Sequence, residues 1–335
     1  MNRPTIKDVA DRAGVSPMTV SRTLAGVQTV REDLRQKVMA AVVELGYHRN
    51  ENARSLRPGQ SSGLVGVLIT NIANPYYGSM VQGIEEVVLH AGKRTLLGDT
   101  GGSPAAEEQL TGDFLGRRVD GLIVVPTGIT WRHLERAVNV GVPVVVAVRE
   151  LSKLDVDSVL VDDEGGAYRG TAALLDDGHT NIAFLGNVGT VSTSASRYRG
   201  FSRAFEDRGL EVNAFLETPG QQSVKEAAIA MGELLDLDDP PTAVFCANNR
   251  NAVGAVGEIS TRIASSELAV EDAPVVMSFD DFELSDVLPF PVSVIKHDPK
   301  EMGRAAARLL IERIQGDSQD QDAKTVILPT TLRHT

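Results

Sequence analysis

The chain has 335 residues, 42% hydrophobic, 23% charged and 4% aromatic, with a formal net charge of −12 and a single cysteine, Cys246. Such a composition builds a sizeable aliphatic core in more than one globular domain, and one cysteine excludes an intrachain disulfide framework. The longest apolar runs, such as Val142 to Val148, are too short to span a bilayer, and no apolar secretory leader opens the sequence, so a cytoplasmic protein with no membrane partner is expected.

The charge is unevenly placed. Residues 1–60 carry ten Lys and Arg against six Asp and Glu, and the remainder carries 23 against 39. A small basic head on an acidic body attracts phosphates with one end only.

Within the head, Thr5 is placed to cap a helix from Ile6 to Ala13, with Asp8 three residues on completing a near-capping box. Gly14 stops it, and Ser16-Pro17 restarts a second helix, Pro17 to Leu24, with Ser16 as cap and Pro17 in the first turn. Val20 and Leu24 then face inward, leaving Thr19, Ser21, Arg22 and Thr23 outward. A third helix, from about Arg31 to Leu45, closes the bundle and ends at Gly46. Two short helices across a tight glycine turn have helix-turn-helix geometry, in which the second helix enters the major groove. Arg22 suits a guanine edge; Ser16, Thr19 and Ser21 suit phosphate oxygens. Read without further context, the same pattern also describes a three-helix bundle docked on a larger domain.

The strings Thr5-Ile6-Lys7-Asp8-Val9-Ala10, Ala13-Gly14-Val15-Ser16, Thr19-Val20-Ser21-Arg22, Glu44-Leu45-Gly46-Tyr47 and Asn52-Ala53-Arg54-Ser55-Leu56 resemble the LacI/GalR-type transcriptional regulators, and the resemblance extends over essentially the whole chain. It implies a homodimer on a pseudo-palindromic double-stranded operator, with Pro17, Met18 and Arg22 at the base-reading positions. Pro17 and Met18 offer only apolar contacts there. Residues 50–62 read as a hinge and linker in which Ala53 to Arg57 are long enough for one or two helical turns, a helix marginal by itself. The resemblance implies that this segment pairs with its copy in the minor groove, Leu56 wedging between base pairs and Arg54 and Arg57 tracking phosphates. The alternative reading of the segment is a plain solvated linker.

From Gly63 onward, short aliphatic runs alternate with amphipathic stretches, the pattern of parallel sheets covered on both faces. Strands are expected at Leu64–Ile69, Thr95–Leu97, Leu122–Val125, Val144–Val148, Val159–Val161, Ile182–Leu185, Ala243–Ala247, Val275–Phe279 and Val292–Ile295. The fold class is therefore α/β: an all-α head, residues 1–49, and a two-lobed body, 63–335, with a ligand cleft at the strand ends. The resemblance implies a body similar to periplasmic sugar-binding proteins. Crossings near 161, 291 and 324 give lobe one 63–161 and 292–323, and lobe two 162–290 and 325–335.

For the effector cleft the candidates are Tyr76, Tyr77, Arg149, Asp162, Arg197, Phe215, Asn249 and Asp280. Tyr76 and Tyr77 follow the first strand and can stack on a ring, though loop packing accounts for Tyr77 as well. The resemblance implies that Arg197 holds the ligand, against a plain surface arginine; Phe215 is near a position that stacks on ligands in some relatives. Asp162 either touches ligand or only caps a helix. The family commonly carries an acid where this chain has Val148, and Asn-Asp where it has Asn248-Asn249. A sugar or sugar-like effector is expected; loss of both acids points to an anionic one, a sugar phosphate or carboxylate, the alternative being a neutral sugar or nucleoside whose hydroxyls Asn249 reads.

Catalytic signals are weak. Gly98 to Ser103 resembles a protease loop but has Thr100 at the nucleophile position and no matching triad. Asp176-Asp177-Gly178-His179 has the wrong spacing for a metal site, and neither a P-loop nor a dinucleotide fingerprint is present. No enzyme, metal or cofactor is expected. A transport solute-binding protein would need a leader and no basic head. No leucine heptad precedes Thr335, so no coiled-coil tetramer is expected.

Overall fold

The computed structural model describes residues 4–24, 29–47, 61–128, 131–151, 153–186, 189, 191–220, 223–316 and 322–334. The chain divides into two units, Met1–Ser62 and Gly63–Thr335.

The first unit holds α1 (Ile6–Ala13), α2 (Pro17–Leu24) and α3 (Glu32–Leu45). Thr5 and Asp8 form the full capping box of α1, and Gly14 and Gly46 close α1 and α3 in the left-handed region, at φ 66° and 59°. Ser16 receives the Thr19 amide at 3.2 Å. The core is small: Val9, Ala10, Val20, Val38 and Ala41 are buried, with Leu24, Leu45 and Tyr47 packed around them. The expected hinge residues Asn52, Ala53, Arg54 and Leu56 lie outside the described residues.

The second unit carries two six-stranded sheets. The first contains β1 (Leu64–Ile69), β2 (Arg94–Asp99), β3 (Gly121–Val124), β4 (Val144–Ala147), β5 (Asp157–Val161) and β11 (Thr325–Leu328), in the order β11-β5-β4-β3-β1-β2. The second contains β6 (Ile182–Gly186), β7 (Glu217–Pro219), β8 (Ala243–Cys246), β9 (Val275–Phe279), β10 (Val292–Lys296) and β12 (Thr331–Arg333), in the order β12-β10-β9-β8-β6-β7. All pairings are parallel except β10 with β12. The helices of this unit are α4 (Pro75–His90), α5 (Pro104–Gly116), α6 (Arg132–Asn139), α7 (Asp163–Asp176), α8 (Ser192–Glu206), α9 (Val224–Leu235), α10 (Asn249–Ala264) and α11 (Pro299–Gln315).

Both faces of each sheet are covered, which is why these strands read as unbroken apolar runs. In the first, Val65, Val67 and Ile69 meet Met80 and Ile84 of α4 and Met302 of α11. On its other face Leu68, Leu122 and Val124 meet Phe114 and Leu134. In the second, Phe184, Phe245 and Phe279 pack with Phe201 and Phe205 of α8, while Leu185, Val244 and Cys246 pack with Met231 and Ile259. Helices α4 and α11 touch backbone to backbone. A Cβ on Gly83 would stand 2.0 Å from the Lys300 carbonyl oxygen, and one on Gly303 2.0 Å from that of Met80.

Two of the expected crossings move. Val292 pairs with Val276, so β10 lies in the second sheet and the chain returns to the first lobe only after Lys296. Thr325 pairs with Ser158, so β11 belongs to the first sheet and the last crossing falls between Leu328 and Thr331. The lobes are thus 63–161 with 299–328, and 163–296 with 331–333. An apolar run packs equally well in either sheet, so periodicity alone could not assign it.

Candidate functional site: an exposed recognition helix and a closed cleft

In the head, Pro17, Met18 and Arg22 are exposed along α2, Met18 at 65%, and Thr5 and Ser16 are exposed beside them. Ser16 and Thr19 hydroxyls are 2.9 Å apart, and Ser21 is half-buried. Thr23, expected outward, is buried and donates its hydroxyl to the Thr19 carbonyl at 2.9 Å. Arg12 pairs with Glu44, Arg31 with Asp33 and Arg35 with Glu32. Among the described residues no carboxylate pairs with the exposed Arg22.

In the body, the carboxyl ends of the strands enclose a cavity of about 200 Å³ lined from the first lobe by Asn74, Tyr76, Tyr77 and Arg149, and from the second by Arg197, Asn249, Arg250 and Asp280. Six of the expected residues therefore meet here: Tyr76, Tyr77, Arg149, Arg197, Asn249 and Asp280.

Asn74 caps α4 by accepting the Tyr76 amide at 3.1 Å. The same side chain exchanges two hydrogen bonds with Asn249 of the opposite lobe. Asn249 Nδ2 donates to Asn74 Oδ1 at 2.9 Å, and Asn74 Nδ2 donates to Asn249 Oδ1 at 3.3 Å. Both residues are buried. Tyr77 is 7% exposed, receives the Thr70 hydroxyl at 2.8 Å and packs in the core, so its packing role holds although its edge reaches the cavity. Tyr76 meets Tyr77 edge-on at 5.2 Å, and its hydroxyl lies 3.0 Å from His297 Nε2, just past β10. Burial, reinforced by the Asp280 charge, pushes the Tyr76 phenol well above its ordinary range.

Arg197 lies in the second turn of α8 and is almost fully enclosed. Its Nε donates to Asp163 at 2.7 Å, its Nη1 to the Ala247 carbonyl at 2.6 Å and to Asp280 at 3.3 Å, and its guanidinium lies 3.7 Å from the Phe279 ring centre. Burial pushes Asp163 up to about 6, against the opposing pull of Arg197. His297 Nδ1 stands 3.4 Å from Asp280 Oδ1, and burial lowers its pKa despite that carboxylate. Asp280 and Val148, at the ends of β9 and β4, both adopt φ +70°. For a β-branched valine this is a strained conformation of the kind that collects at functional sites.

Two expected residues fall elsewhere. Asp162 does not line the cavity; it caps α7 through the Gly165 amide at 3.0 Å and pairs with Arg169, while its neighbour Asp163 points to Arg197. Phe215 is 89% exposed on a short turn and does not line the cavity either, because Leu216 is the residue that this turn sends into the core. The site also contains Asn74, Asp163, Arg250 and His297, which strand-end placement could have flagged but residue type did not. The Gly98–Ser103 loop is a turn: Thr100 is buried and bonds the Ile69 carbonyl, and Ser103 caps α5. Among the described residues no cluster of His, Cys, Asp and Glu could hold a metal, and no helix is long and apolar enough to cross a membrane.

Residues 5–50 match the description "Bacterial regulatory proteins, lacI family", and residues 62–333 match "Periplasmic binding proteins and sugar binding domain of LacI family". The chain belongs to the LacI family. Catabolite control protein A of Priestia megaterium is 31% identical over 94% of each chain, and the ribose operon repressor of Haemophilus influenzae is 28% identical over 98% of this chain and 96% of its own. The crystal structure of the Lac repressor dimer bound to operator and the anti-inducer ONPF superposes with a TM-score of 0.79 at 27% identity, over 99% of this chain and 98% of that one. As a LacI-family member the chain is a ligand-responsive DNA-binding transcription regulator, and the relatives named are regulators rather than enzymes.

Proposed function

We propose that this LacI-family chain is a cytoplasmic, homodimeric repressor of a catabolic operon, released from or driven onto its operator by a small metabolite held between the lobes. Pro17, Met18 and Arg22 read base edges in the major groove, and Thr5, Ser16, Thr19 and Ser21 position the head on phosphates. The observation that carries this is the exposed face of α2, where Arg22 projects without a carboxylate partner among the described residues, beside an exposed Met18. An arginine committed to an internal ion pair would have to break that pair before meeting a guanine.

The cavity of about 200 Å³ is below the roughly 300–1,000 Å³ of drug-sized sites, which suits a monomeric metabolite. A sugar-like effector accords with the ribose operon named for one relative. Selection of duplexes from a random library by the full chain, followed by gel shifts with and without metabolites, tests the reading. A palindrome-like consensus bound salt-sensitively and modulated by one metabolite is the expected result. Binding with no sequence preference, or none at all, would overturn it.

A further inference from the structure

We infer that Arg149 and Arg250 form a two-sided anion clamp across the cleft, and that the effector presents a phosphate or carboxylate group to it. This rests on the reading of the cleft as the effector site and adds the chemical class of what it holds.

Three arginines line the cavity: Arg149, Arg197 and Arg250. Arg197 is already satisfied. Two carboxylates, Asp163 and Asp280, and the Ala247 carbonyl accept from it, so it is a framework cation. The other two differ. Arg149 gives Nη1 to the Pro126 carbonyl at 2.8 Å, while its Nε is buried with no hydrogen-bond partner. Arg250 has its backbone amide tied to Asn248 Oδ1 at 2.9 Å, and its Nε is likewise buried without a partner. Among the described residues neither has a carboxylate within ion-pair distance. The residues just before them in the chain, Val148 and Asn249, are uncharged.

An N–H donor removed from water with no acceptor is costly, and doubly so on a charged group. A neutral sugar hydroxyl supplies an acceptor but no charge, and leaves three guanidinium groups in the cavity wall against one lining carboxylate, Asp280, with Asp163 paired to Arg197 outside the lining. A phosphate or carboxylate supplies both, with enough oxygens to take a donor from each side. Placement matters as much as charge. Arg149 follows β4 in the first lobe, held by the strained turn at Val148, whereas Arg250 is in the first turn of α10 in the second. An anion between them touches both lobes, so its binding energy acts directly on lobe closure.

The full chain is titrated with inorganic phosphate at constant ionic strength against chloride, following thermal unfolding and calorimetric heat. Parallel titrations use glucose, glucose 6-phosphate and gluconate, which separate phosphate from carboxylate. The variants are Arg149→Gln and Arg250→Gln, checked for native circular dichroism; should R149Q not fold, R250Q decides. The clamp predicts phosphate binding that falls at least tenfold in each variant, and an acidic sugar preferred over glucose only when both arginines are present. Phosphate affinity within twofold of wild type in both variants would place the anion on the basic head and overturn the clamp. A neutral metabolite binding all three proteins equally, with its acidic counterpart excluded, would overturn it too. Operator affinity separates the two readings. If acidic ligands bind through Arg149 and Arg250 but leave DNA affinity unchanged, the clamp stands and the effector role falls. If a neutral ligand shifts DNA affinity equally in wild type and R250Q, the reverse holds.

Discussion

Asn249→Asp is a nearly isosteric change that tests what holds the lobes together. Asn249 is buried, and its Nδ2 donates to Asn74 Oδ1 at 2.9 Å. Asn74 cannot rotate its amide to compensate, because the same Oδ1 caps α4 through the Tyr76 amide. The aspartate therefore keeps the 3.3 Å bond from Asn74 Nδ2 but sets a carboxylate oxygen against a carbonyl oxygen where a hydrogen bond stood. Losing that bond costs about 1 kcal/mol, and leaving two acceptors face to face in a buried place adds about as much again. A total of about 2 kcal/mol is roughly thirtyfold in the closed-to-open ratio. With a minor open state of about 0.1–10%, the usual range, the open fraction should rise to roughly 3–75%. Single-molecule energy transfer between dyes at Glu135→Cys and Lys225→Cys, one exposed position in each lobe, reads this directly. Cys246 does not interfere, being fully buried in β8 with its thiol pushed far up by burial. Asn249→Ala, which removes both hydrogen bonds without adding charge, should also open the cleft. An open fraction unchanged in both variants would show that the amide pair does not hold the lobes.

Three further outcomes follow from the same geometry. Arg22→Ala should cost about 1–3 kcal/mol per half-site and flatten base preference at one operator position, measured by fluorescence anisotropy; weaker binding with preference intact would make Arg22 a phosphate contact. Asp163, held up at about 6, takes a proton as pH falls through that value and leaves Arg197 less neutralised, so gluconate should bind several-fold tighter at pH 5.5 than at 7.5 by calorimetry; a flat or opposite profile would mean that the charge of Asp163, behind Arg197, does not act on the anion. Gly303→Ala drives a methyl to 2.0 Å from the Met80 carbonyl oxygen and should destabilise by about 1–3 kcal/mol or more, since α4 and α11 must separate by over an ångström; an unchanged melting temperature would refute that close contact.

What was legible in the sequence divides along physical lines. The Thr5–Asp8 capping box and the closing glycines Gly14 and Gly46 could be read because each is a local contract between residues a few positions apart. Long strands such as β1 and β9 could be read because burial on both faces leaves an unbroken apolar run. The short edge strands β7, β11 and β12 were missed: they have three or four residues, and β11 alternates exposed with half-buried positions. Helix α10 is faint in the sequence because polar and small residues, Asn249, Asn251, Ala252, Gly254 and Ala255, make up most of its buried face beside Val256 and Ile259. In the site, strand-end position found the right neighbourhood but not the right atoms. Asp162 and Asp163 differ by one step of about 100° around a helix, which sends one to the cap and the other to Arg197. Nor could the ion pairing of Arg197 be foreseen, since Asp280 reaches it from 83 residues away.

The cleft's construction bears on how a regulator of this size could be switched at all. Each lobe is closed by fully buried aliphatic and aromatic side chains, and deforming such a core costs many kilocalories. Apolar packing also runs from lobe to lobe, and among the described residues the polar ties across the cleft include the Asn74–Asn249 amide pair and the contact of Tyr76 with His297 at a crossing. Bonds of this sort are worth only about 0.5–1.5 kcal/mol each, so they hold the lobe angle with an energy comparable to what one well-placed ligand group supplies. A ligand need favour one lobe angle by only about 5.5 kcal/mol to invert a 1:99 equilibrium. An anion that meets the half-buried Arg149 and Arg250, each with a buried and unpartnered Nε, from opposite lobes is suited to deliver that difference, because in an opened cleft it could meet only one of them. Rigid lobes and weak polar ties thus make the angle between them the soft coordinate, and it is this coordinate that an effector in the cleft must move.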